Sequence, residues 1–260
     1  MNAVRSIAFG GLVFIALTPA FAKDVDQANA IEPEAAQILQ QMSDYLGSLK
    51  RFTLSSESTI DTLMPSGQKI QRGAHVDVAI QRPNRLRLNR NGDDVEQEFY
   101  FDGNTLTLYG KQDGYYANLG VSKTVDIDTV LDLARTEIGV ILPAADLIYQ
   151  DPYEGLMADA ESGTLVGTST VGGVEVDHLA FRGRQVDWQI WIEKGDKPLP
   201  RKYVITSKWI AGGPQFTAVF SDWKTSAEFD DALFTFSPPP KAQEIGFVPL
   251  RSKFDRRGAE

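Results

Sequence analysis

Few residues in this sequence have the types and spacing that catalysis needs. There are two histidines and no cysteine. His75 falls on the polar side of an alternating run, and His178 shares parity with Val174 and Val176, which reads as a partly buried structural histidine. Ser169, in Gly167-Thr168-Ser169-Thr170-Val171, is one residue short of the nucleophile-elbow spacing and lacks its strand–turn–helix setting. Asp128 and Asp132 lie four apart beside a helix start, where acids are ordinary, and Asp230-Asp231 reads as a turn. With no thiolate and two distant histidines, a transition-metal site is not expected. Nor does a glycine-rich phosphate loop occur. The expectation is no enzyme, no cofactor and no metal.

The residue with the most telling position is an arginine. Ile70, Arg72, Ala74, Val76, Val78 and Ile80 alternate with Gln71, Gly73, His75, Asp77, Ala79 and Gln81. A period of two makes these the two faces of a strand. Arg82 continues the apolar set just before Pro83, and Leu86 and Leu88 share its parity. What lies over that face decides what the arginine does.

The ends of the chain bound its location. Met1 to Arg5 carry a positive charge, Ser6 to Ala20 are mostly apolar, and Ala20-Phe21-Ala22 is a small-x-small cleavage site. Residues 1–22 therefore read as a secretory signal peptide, with cleavage after Ala22 and a periplasmic destination. The domain is expected over 23–240. Arg251, Lys253, Arg256 and Arg257 give a basic end to a tail, 241–260, of the kind that is often disordered. A net charge of −9, taken to about −10 by losing Arg5, disfavours nucleic acid and a broad anionic lipid surface as partners. Without disulfides the chain relies on its core, and it is long enough to do so. A monomer is expected.

The elements follow from periodicity. Pro33 begins a helix in which Ala35, Ile38, Leu39, Met42, Leu46 and Leu49 recur at threes and fours. From Phe52 to Leu119, short turns such as Asp102-Gly103-Asn104 join antiparallel strands. Ile127, Val130, Leu131, Ala134 and Ile138 return to helical spacing after an Asp126 cap. Shorter helices are expected over 144–149 and 153–158. Strands then resume from Gly163 to Trp223, and Phe234-Thr235-Phe236 is expected to close the sheet. The result is an α+β fold, one antiparallel sheet of about ten strands with helices over one face.

The inward rows are bulky. Val186, Trp188, Ile190 and Ile192 form one and Phe216, Ala218 and Phe220 another. Two arrangements fit them: a dry core between sheet and helices, or an apolar cavity where the two do not fully meet. The lining of such a cavity would come from Val78, Ile80, Leu88, Phe99, Leu106, Leu108, Val130, Leu131, Ile138, Trp188, Ile190 and Phe216.

Arg82-Pro83-Asn84, Phe101 to Tyr109 and Phe234 to Pro239 resemble, in order and spacing, the LolA family of periplasmic lipoprotein carriers. His178 to Phe181, Asp187 to Ile192 and Leu199 to Lys202 are similar to the related predicted periplasmic proteins of domain of unknown function 2092. The resemblance implies a half-open antiparallel barrel with a lid of helices over its concave face, holding acyl chains of a lipid or lipoprotein. By the same match Arg82 would latch the lid through its carbonyls, and Leu86 would line the cavity. In place of Leu86 the carriers have an aromatic, and Arg85 and Arg87 add charge untypical of them. The alternative function is a periplasmic interaction or envelope-sensing module that binds a membrane-bound partner without lipid cargo.

Overall fold

The structure is a computed structural model that describes residues 30–247 apart from Ser122 and Ile141. The expected signal peptide and residues 248–260 of the expected tail lie outside the described residues. Twelve strands form one sheet: β1 Arg51–Leu63, β2 Lys69–Gln81, β3 Arg85–Gly92, β4 Glu96–Phe101, β5 Thr105–Gly110, β6 Tyr115–Gly120, β7 Ala160–Val171, β8 Val174–Gly183, β9 Val186–Glu193, β10 Pro200–Ser207, β11 Gln215–Lys224 and β12 Gln243–Glu244. Their order is β12-β6-β5-β4-β3-β2-β1-β11-β10-β9-β8-β7, antiparallel except for β12 against β6. The sheet does not close on itself. β7 and β12 are its edges, and it forms a half-open barrel with helices over the inner face.

Two strands exceed the expected ten. Arg85–Gly92 is a full partner of β2 rather than a connection, and β12 extends the sheet past Pro240. Phe234-Thr235-Phe236 is not a strand. A 3-10 turn, Asp231–Phe234, leads it across the outer face, where Phe236 packs among Tyr100, Tyr109 and Tyr116 at 5.2, 5.3 and 5.1 Å. Three aromatic rings on the solvent side of the sheet need such a cover.

Register sorts the inner face into transverse rows. Phe52, Ile80, Leu86, Phe101 and Leu106 form one row, and all are buried. Leu54, Val78, Leu88, Phe99 and Leu108 form the next. Phe220, Ser56, Val76, Arg90 and Gln97 follow, then Ala218, Ser58 and Ala74, then Phe216, Ile60 and Arg72, with Thr62 and Ile70 beyond them. Apolar bulk therefore gives way to small and polar side chains along the strands.

Helix α1, Pro33–Ser48, covers the inner face at the β7–β9 side, with Ala35, Leu39, Met42 and Leu46 fully buried. Under it Phe181 stacks on Trp188 at 4.1 Å. The chain entering α1 also protects the β7 edge, because Glu32 N–H donates to Gly163 C=O at 2.9 Å. Only glycine fits at 163, since a Cβ there would sit 2.4 Å from the Phe181 ring. Helix α2, Ile127–Leu133, runs into a five-residue π turn over Ala134–Ile138. A 3-10 turn over Ala145–Ile148 and helix α3, Pro152–Met157, occupy the places where short helices are expected.

Leu39→Ala removes a wholly buried side chain at the centre of the α1 contact. It should lower unfolding free energy by about 2–5 kcal/mol in a urea titration; a loss within error of zero would contradict this packing.

Candidate functional site

Sheet and helices do not meet everywhere. A cavity of about 460 Å³ lies between the inner rows of β1–β5 and β11 and the segment Val140–Ile148. Its size is that of a small-molecule site. The reason for the gap is visible in the rows. Where a packed core would hold large residues, Ser56, Ser58, Ala74 and Ala218 stand side by side. The floor is apolar, with Leu54, Val78, Leu88, Phe99 and Leu108. Over it lie Val140, Leu142, Pro143, Ala144, Ala145, Leu147 and Ile148.

Of the residues expected to line a cavity, Val78, Leu88, Phe99, Leu108 and Phe216 do so. Ile80, Leu86 and Leu106 are one row further along and lie buried in the solid core. Val130, Leu131, Trp188 and Ile190 are likewise buried in core contacts, and Ile138 packs half-buried against them. The two arrangements read from the sequence thus coexist, with a dry core on the α1 side and an open space under Val140–Ile148.

Trp223 lines the cavity although its parity opposes Phe216, Ala218 and Phe220. The cause is a bulge. The β1–β11 register shifts between Thr53/Lys224 and Ser55/Ser221, and Asp222 has φ 52°. The extra residue turns Trp223 inward, where it stacks on Phe52 at 6.0 Å. No simple alternation finds it. Arg72 and Arg90 also line the cavity, and their inward parity is readable in the sequence.

The lid is held at one end by polar groups. Arg82 is only 9% exposed, and its Nη2 donates to Tyr149 C=O at 2.8 Å, the carbonyl that follows the 3-10 turn. Its guanidinium lies 5.9 Å from the Phe52 ring centroid. Burial pulls the Arg82 pKa down, and the charge of Asp128 opposes this. Asp128, in α2, accepts the Gln150 N–H at 3.1 and 3.0 Å, and burial pushes its carboxyl above the usual range. The adjoining carbonyl and amide are therefore held by an arginine and an aspartate from different elements. Gln150 Nε2 donates to Gly47 C=O at 2.9 Å, and Gly47 must lack a Cβ because one would sit 2.6 Å from Gln150 O. Tyr149 O–H donates to Asp132 at 3.2 Å, and Tyr153 N–H to Ser43 Oγ at 2.9 Å. By contrast, among the described residues no hydrogen bond joins 142–148 to a strand. Over the cavity the lid is held by apolar contact alone.

The signature of a family described as predicted periplasmic proteins, DUF2092, matches residues 35–248. The chain belongs to this family. No curated protein matches its sequence. Among solved structures, an uncharacterised conserved protein from Thermus thermophilus superposes with TM-score 0.50 at 10% identity, over 82% of this chain and 99% of that one. The lipoprotein LppX of Mycobacterium tuberculosis gives 0.48 at 14%, over 76% and 100%. A LolA superfamily protein from Nitrosomonas europaea gives 0.37 at 12%, over 78% and 97%. At these identities the likeness to the Thermus protein is one of fold.

This DUF2092 protein is periplasmic, as its family is described. Among the described residues no helix is long and apolar enough to cross a membrane. Both histidines lie outside the cavity. His75 faces Glu57 at 2.6 Å and Asp77 at 3.2 Å, and His178 stacks on Trp191 at 4.1 Å with Nε2 2.9 Å from Gln189 Oε1. Among the described residues no group of three or more acids or histidines could hold a metal.

Arg82→Met keeps the apolar stem on Phe52 and removes the donor to Tyr149. Amide exchange at 145–150 should quicken roughly tenfold or more, the loss expected of one charge-assisted hydrogen bond. Unchanged protection there would show that Arg82 does not hold the lid.

Proposed function

We propose that this protein is a periplasmic carrier that holds acyl chains of a lipid or lipoprotein in the cavity between sheet and lid, and that it is not an enzyme. The cavity itself carries this reading. It has an apolar floor, a ceiling that among the described residues makes no hydrogen bond to the sheet, and a middle kept open by small residues. Flexible apolar chains are the ligands such a space suits, because they need burial rather than directed bonds. Arg82 serves as the latch: its bond to Tyr149 C=O is polar and can be exchanged for water when the lid lifts.

A second reading is an interaction or sensing module that docks a membrane-bound partner without lipid cargo. The hairpin tips favour it. Trp209 is 75% exposed, Ile210, Leu63 and Met64 are also exposed, and the two tips touch near Gly212 and Leu63.

Native mass spectrometry of protein purified from the periplasm separates the two. The carrier reading expects a bound mass of acyl-lipid size. In an Ala74→Phe variant, which fills the cavity from β2, that mass should disappear while the thermal midpoint stays within a few degrees of the parent. A clean apo mass, with no uptake of a fluorescent fatty acid, would reject the carrier and leave the docking module.

A further inference from the structure

The cavity's charged lining is unbalanced. It contains two arginines, Arg72 and Arg90, and one acid, Asp94, in a chain whose net charge is −9. Arg90 is committed to structure: its Nη1 donates to Val95 C=O at 2.8 Å and its Nη2 to Asp94 at 2.9 Å. That bond to Asp94 is the main reason the Asp94 carboxyl is held below its usual range, and the Arg72 charge adds the smallest pull. Arg72 is different. It lies in the outermost row that lines the cavity, beside Ile60 and Phe216, half-buried, and among the described residues its side chain makes no hydrogen bond or salt bridge. A guanidinium offers five donors and stays charged. Here it stands at the end of an apolar trough, continuing the row that begins at Val78.

Resting on the carrier reading, we propose that the cavity selects a single-chain amphiphile with an anionic head, the chain lying along the floor and the acid group meeting Arg72. The dimensions agree. Arg72 is six residue steps from Val78 along β2, about 20 Å of strand. With C–C bonds near 1.5 Å, an extended alkyl chain of roughly sixteen carbons spans that length. The gradient of the rows matches such a ligand from end to end. Leu54, Val78 and Leu88 surround the tail, and Ser58 and Ala74 leave width for the chain. Arg72 supplies the charge that an alcohol or ester head would leave unpaired.

The test is competition with a fluorescent fatty acid on the full mature chain, at a pH where carboxylic acids are ionised. The competitors are hexadecanoic acid, hexadecyl phosphate and hexadecanol. Both acids should bind about tenfold or more tightly than the alcohol, and the tighter of the two identifies the head as carboxylate or phosphate. In Arg72→Gln this advantage should vanish while the alcohol binds as before; in Arg72→Lys most of it should remain. Equal binding of acid and alcohol, or an unchanged acid affinity in Arg72→Gln, would overturn the anionic head and leave the acyl carrier standing. No binding by any competitor, nor by the fluorescent acid itself, would overturn both. Circular-dichroism melts of the variants confirm that each is folded before binding is compared.

Discussion

The turn Arg82–Asn84 is where the separate coverings of the sheet are joined to it. Arg82 N–H donates to Lys50 C=O at 2.8 Å, fixing the exit from α1. Pro83 C=O accepts from Ile127 N–H at 2.9 Å, fixing the start of α2. The Arg82 side chain then reaches Tyr149. One turn of three residues thus ties two helices and the lid to the end of β2. A charged group buried this far needs compensation, and it has Tyr149 C=O and the nearby Asp128 charge. Its Nε remains buried without a partner. The arginine is therefore held by less than its full donor set, as the proposed latch would require.

From that anchor the covering divides into two regimes. On the α1 side, sheet and helix are complementary in bulk, and Leu39, Met42, Phe181 and Trp188 fill the space between them. On the lid side, the polar ties end at Tyr149 and the rows below carry serines and alanines. The sheet is continuous across both regimes, so the difference comes from side-chain volume rather than from backbone. Closing the cavity would take only a few larger residues at positions 56, 58, 74 and 218. Their small size is what keeps the space open at the cost of apolar contact.

Much of this was legible in the sequence. Alternation marked the long strands, helical spacing marked α1 and α2, and Arg82-Pro83-Asn84 marked the anchoring turn. What escaped has physical causes. Trp223 is turned inward by a bulge, which breaks the parity on which any face assignment depends. The strand Arg85–Gly92 carries arginines and asparagines on its outer side, so its hydrophobic signal is half that of a covered strand. Phe236 is apolar but lies on the outer face, because the strap that carries it is placed by tertiary contact and not by local pattern. Asp128 and Asp132 look like ordinary acids near a helix start, Asp132 with Arg135 as a local partner; their ties to Gln150 and Tyr149, more than fifteen residues later, come from tertiary contact alone. Which apolar rows would pack and which would stay open depended on what stood opposite, and a single strand does not carry that information.

The same separation of polar and apolar ties bears on how a lid of this kind would open on the proposed reading. Breaking the Arg82–Tyr149 bond exposes a donor and an acceptor that water can satisfy, so its net cost is about 1.5–3 kcal/mol rather than the full strength of the bond. The greater resistance comes from the apolar surface of Leu142, Leu147 and Ile148, which loses its cover when the lid lifts. At about 25 cal/mol per Å², even 100 Å² of that surface rivals the hydrogen bond. An alkyl chain entering the cavity restores the apolar contact but cannot replace the polar one. Opening in the absence of ligand is then opposed by both effects, and opening around a ligand by the polar one alone. On that reading the part of the lid's hold that persists around a ligand comes from polar ties such as Arg82–Tyr149, and the part that a ligand relieves comes from the side chains over the cavity. The two can be altered independently because they are contributed by different ends of the same segment.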